Sequence, residues 1–98
     1  MIHAETVENP FLETIAQASM RAVATLIREH AKYAPLRDRL DLVTELLKAE
    51  LVDQYDSILK DGQDVLDAHM GAAVLEATMN ASCVLVAIAA LDKALATP

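Results

Sequence analysis

"HMGAAVLEATMNASCVLVAIAAL", residues 69–91, decides how this chain is read. It is apolar enough to suggest a membrane span, yet His69, Glu76, Asn80 and Cys83 are set into it. A span takes about 20 predominantly apolar residues. Here the longest run without a polar side chain after Cys83 ends at Leu91, and Glu76 and Asn80 would lie inside the hydrocarbon. The expectation is a core helix with no membrane span.

Within that helix, Val74, Leu75, Met79, Val84, Leu85, Val86, Ile88 and Leu91 spread around nearly the whole circumference at about 100° per residue. A helix that is apolar on all sides is buried on all sides. What precedes it offers less cover. Phe11, Leu12, Ile15, Ala18, Ala22, Val23, Leu26, Ile27 and Tyr33 form one apolar face, with Gln17, Arg21, Thr25, Arg28 and Lys32 opposite. Leu36, Leu40, Val43, Leu47, Leu51 and Ile58 form a second, with acidic residues on the far side. Two one-sided helices cover about half of a third. The remainder is expected to meet a second copy of the chain, most simply as a dimer, and Ala73, Ala77 and Ala81 at intervals of four allow close backbone approach.

Breakers set the boundaries. Asn9-Pro10 reads as a cap followed by proline in the first turn, Pro35 as a boundary or a kink, and Asp61-Gly62 as a stop. The spacing predicts a single helical domain over residues 1–98, a three-helix up-down-up antiparallel bundle with helices at about 10–33, 36–60 and 63–95. Acidic residues near the three starts (Glu13; Asp38 and Asp41; Asp64 and Asp67) and basic residues near the ends (Arg28 and Lys32; Lys60; Lys93) match the helix dipoles.

Charge and cysteine usage narrow the function. With 15 acidic against 8 basic residues the net charge is -7, which opposes binding to a phosphate backbone, so no direct nucleic-acid contact is expected. One cysteine leaves no internal disulfide and no multi-cysteine zinc site, which suits a reducing cytoplasm. "MIHAETVENPF" lacks the basic-then-apolar order of a secretory signal.

Two groups of residues are candidates for contacts. His69, Glu76, Asn80 and Cys83 form an interior polar stripe, and His30, on a parallel first helix, is expected at the level of Asn80 and Cys83. Cys-His chemistry, metal ligation and a buried polar network that sets register all use such residues. The Glu-x-x-His pattern of carboxylate-bridged metal bundles is absent, and the network is the expectation, without metal, cofactor or catalytic residue. The second group is an acidic face, Asp38, Asp41, Glu45, Asp53 and Asp56, read as a solvated surface or as a docking surface for a basic protein. The function these features imply is a small acidic non-catalytic interaction or adaptor module that homo-oligomerises. The alternatives are a small-ligand or metal binder using the stripe, and an acidic inhibitor or nucleic-acid mimic acting on a basic protein.

Overall fold

The computed structural model describes the backbone of residues 10–98 and the side chains from Glu13 onward. The expected cap at Asn9 and the placement of the Phe11 and Leu12 side chains lie outside the described residues. Among the described residues all regular structure is helical: α1 (Pro10–Glu29), a 3-10 helix (Ala34–Arg39), α2 (Leu40–Asp53), α3 (Tyr55–Asp67) and α4 (Ala72–Ala96). The all-α class holds. The helix count does not, because four α-helices replace the expected three.

α1 follows its hydrophobic spacing. Ile15, Val23 and Ile27 are buried, while Gln17, Arg21, Thr25 and Arg28 are exposed. The helix stops at Glu29, short of residue 33, and a turn closed by the Tyr33 amide donating to the His30 carbonyl at 3.0 Å leads into the 3-10 segment. Pro35 lies in the first turn of that segment, where a missing N–H breaks no helical bond. It marks a turn between helices rather than a kink within one.

The second expected helix is broken at Gln54, where α2 ends and α3 begins with no proline or glycine nearby. The expected stop at Asp61-Gly62 is overturned. Gly62 lies buried inside α3, close to Leu75, since a methyl group added there would meet Leu75 Cδ1 at 3.8 Å. The chain reverses instead at residues 68–71. His69 donates to the Leu66 carbonyl and Met70 to the Val65 carbonyl, the paired bonds of a Schellman closure. His69 holds the left-handed backbone there (φ 55), and Gly71 (φ 90, ψ 167) takes a conformation few other residues reach before α4 starts.

α4 is the central strut. α1 runs in the same direction beside it, with the Ile15 carbonyl at Cys83 and the turn after α1 bringing Tyr33 to Asp92. α2 starts near the C-terminal end of α4, where the Arg39 guanidinium donates to the carbonyls of Ala94, Thr97 and Pro98 and satisfies groups a helix end leaves open. α3 continues in the same direction beside the N-terminal half of α4. Val86, Ala87, Ala90, Leu91 and Ala94 of α4 are fully buried among Ile15, Leu36, Val43 and Leu47. Alanine at three of those five positions lets α1 and α2 approach closely. Each large aliphatic side chain buried there contributes about 1.5–3 kcal/mol.

Candidate functional site: the outer face of the last helix

α4 buries one side only. Cys83, Val86, Ala87, Ala90, Leu91 and Ala94 face α1 and α2, and the opposite side carries Val74, Ala77, Ala81, Leu85 and Ile88. Leu85 is 63% exposed, Val74 and Val84 are each 41% exposed, Ala77 and Ala81 are exposed, and Ile88 is half-buried. Among the described residues no helix packs over this side, and the Cα atoms span 18 Å in the shortest dimension, about the depth of two helical layers. The expectation of a helix buried on all sides therefore fails among the described residues. Only 28% of its most apolar stretch is buried, and by length and composition the helix could cross a membrane.

The exposed residues are ordered. Positions 74, 77, 81, 85 and 88 follow one another at intervals of three and four, the spacing of a stripe along one side of a helix. No charged residue occurs between Glu76 and Asp92. Beside the seam, Val84 shares a shallow apolar groove with Arg21, Ala22, Thr25 and Leu26 of α1. At the other end, Leu66 and Met70 are also largely exposed around the reversal at His69.

The expected interior stripe is dispersed. His30, His69, Glu76 and Asn80 are exposed, and of the five only Cys83 is buried. Parallel packing of α1 and α4 holds, but the register differs from the expected one. The Cys83 thiol donates to the Ile15 carbonyl at 3.7 Å, so His30 lies four helical turns further along α1, and the two do not meet. His69 is in the turn before α4, and Glu76 and Asn80 extend beyond the level of Ile15. Burial pushes the Cys83 thiol up, which leaves it a poor nucleophile. Among the described residues no three His, Cys, Asp or Glu side chains converge as metal ligands would.

Asp38, Asp41, Glu45, Asp53 and Asp56 are all exposed, and they belong to three elements rather than one helix: the 3-10 segment, α2 and α3. Lys48 lies 3.9 Å from Glu45, a solvent-screened pair.

Several polar residues that tie the fold were not anticipated. Glu50 is only 4% exposed, accepts a hydrogen bond from Gln54 Nε2 at 2.6 Å and is paired with Lys93. Tyr33 donates to Asp92 at 2.8 Å, with Lys32 3.2 Å from the same carboxylate. Burial raises the Tyr33 phenol, and its bond to Asp92 adds to the rise. The same bond holds the Asp92 carboxyl below the usual range, and Asp92 in turn raises Lys32. Ser19 is fully buried, with its hydroxyl beside the Cys83 thiol, where it offsets part of the rise that burial causes. The position of Ser19 between Ile15 and Val23 on the apolar face was the one available signal.

In comparisons with known proteins, the chain matches no protein-family model, no curated protein and no solved structure.

Proposed function

We propose that the protein is a non-catalytic interaction module that self-associates through the outer face of α4. The observation that carries this reading is the seam Val74, Ala77, Ala81, Leu85 and Ile88, apolar, ordered at intervals of three and four along one side of the helix and uncovered by the other described residues. A self-association surface has to be compatible with itself, and a neutral seam is. The rest of an acidic molecule of net charge -7 repels its own copy.

Insertion of α4 into a bilayer is the competing use of the same side chains. It would strip Lys93 from Glu50 and Asp92 from Tyr33, and would uncover the apolar faces of α1 and α2. Self-association keeps all of these contacts. The exposed carboxylates Asp38, Asp41, Glu45, Asp53 and Asp56 are then free to meet a basic protein, as an adaptor requires.

The test is light scattering over a wide concentration range. The parent protein is expected to dimerise, and Leu85→Glu, which places a charge on the seam without touching the core, is expected to be monomeric with unchanged helix content. A strictly monomeric parent overturns the reading. So does a parent that partitions onto vesicles and dimerises nowhere.

A further inference from the structure

We infer that the groove between α1 and the start of α2 is a docking site for an acidic peptide segment of a partner protein, one that carries an aliphatic side chain beside its carboxylates. Ala24, Ile27 and Arg28 of α1, Arg37 of the 3-10 segment and Leu40, the first residue of α2, line it. The lining holds two cations and no carboxylate. Leu40 is 51% exposed and Ala24 is exposed, so aliphatic surface between the arginines stays open to water.

Charge complementarity selects the occupant. The chain has a net charge of -7, yet α1 carries no acidic residue between Glu13 and Glu29, only Arg21 and Arg28. Most basic residues elsewhere are engaged. Lys32 is held by Asp92, Lys60 by Asp64 and Lys93 by Glu50, Lys48 lies near Glu45, and Arg39 donates to carbonyls at the end of α4. Arg37 makes no ion pair or hydrogen bond among the described residues, and Arg28 meets only Glu29, at 3.8 Å with both side chains largely in water. A guanidinium presents a planar fork of donors matched to a carboxylate, and both forks are available. Asp38 and Asp41 are exposed next to Arg37 and Leu40 in sequence but line no part of the groove. They repel an acidic segment that overruns it, which confines the partner's carboxylates to the two arginines.

Size favours a segment over a small molecule. The groove encloses about 260 Å³, below the ~300–1,000 Å³ of sites that bury a drug-sized ligand. One or two side chains of a longer chain fit. Nucleic acid is disfavoured, because its phosphates would meet the acidic remainder of the molecule and the floor offers no aromatic ring for a base. No residue of α4 lines the groove, so its use does not depend on self-association.

The probe is an immobilised pool of octapeptides built at random from Asp, Glu, Leu and Val, set against a pool in which Asn and Gln replace the acids. The parent protein is expected to bind the acidic pool about tenfold more tightly, with the preference shrinking as salt is raised. Arg28→Gln combined with Arg37→Gln should remove the preference. Both side chains are exposed, so helix content by circular dichroism should stay at the parent value. Lys48→Gln, which removes a cation outside the groove, should keep the preference. Equal binding of the parent to both pools overturns the proposal, as does a preference that survives in the double variant or is lost equally in Lys48→Gln. So does competition by inorganic phosphate or anionic vesicles, at equal ionic strength, as effective as that of the free acidic pool.

Discussion

Lys93 near the end of α4 reaches back to the carboxylate of Glu50 on α2, which is otherwise buried and held by Gln54 of the helix break. This pair fixes the level of α2 along α4 and sits where the second helix divides. Removing the lysine strands a charge. Breaking a wholly buried pair costs about 3–5 kcal/mol. Because the Lys93 side chain is 55% exposed, Lys93→Met is expected to cost less, ~1–3 kcal/mol. Urea unfolding should show the midpoint fall with little change in slope, and Lys93→Met combined with Glu50→Gln should recover part of the loss.

The two glycines have opposite expected effects. Gly62 is in a helix interior with space for a methyl group beside Leu75, so Gly62→Ala should stabilise by ~0.5–1 kcal/mol. Gly71 has φ 90 and ψ 167, so Gly71→Ala should destabilise by about 1–3 kcal/mol. Thermal unfolding of both variants checks the pair, and a Gly62→Ala protein that melts lower would contradict the helix through residue 62.

His69 occupies the left-handed position that glycine usually fills at a helix end. His69→Gly should therefore stabilise by about 1 kcal/mol, while His69→Val should destabilise. Denaturation midpoints of the two variants on either side of the parent would verify the closure.

Tyr33 and Asp92 give stability a pH dependence at both extremes. Asp92 has a lowered folded-state pKa, so its contribution is present above the ordinary carboxylate range and is lost as pH falls through the folded value. Tyr33 has a raised folded-state pKa, so its contribution is complete below the ordinary phenol range and is lost as pH rises through the folded value. Tyr33→Phe should cost about 1 kcal/mol at neutral pH. It should also flatten both limbs of the stability profile, measured by urea unfolding across pH.

Cys83 should resist modification in the native protein. It is 3% exposed, and burial raises its thiol. A thiol reagent is expected to react at the rate of unfolding, with His30→Ala leaving that rate unchanged, because His30 is exposed and far along α1. Rapid native labelling that depends on His30 would restore the pairing the structure denies.

Periodicity and composition were enough to establish the all-α class, the one-sided face of α1, most of that of α2 (Leu40 is half exposed), the shared direction of α1 and α4, and the exposure of Asp38, Asp41, Glu45, Asp53 and Asp56. Each depends on which side of a helix a residue occupies, and a 3.6-residue repeat carries that information directly. Tertiary structure alone decided the rest. The reversal moved from Asp61-Gly62 to His69-Gly71 because Gly62 serves close packing against Leu75, while a histidine accepts the left-handed position. The division at Gln54 carries no local breaker and goes with the Glu50–Lys93 pair, whose partners are 43 residues apart in the chain. The polar stripe failed because co-facing residues on one helix become interior only where a neighbour lies alongside, and α1 meets α4 at Cys83 rather than at Asn80 or Glu76. The seam on α4 was legible as apolar residues. Which side of the helix remained uncovered depended on where α1, α2 and α3 came to rest, a matter of long-range packing that no spacing within α4 records.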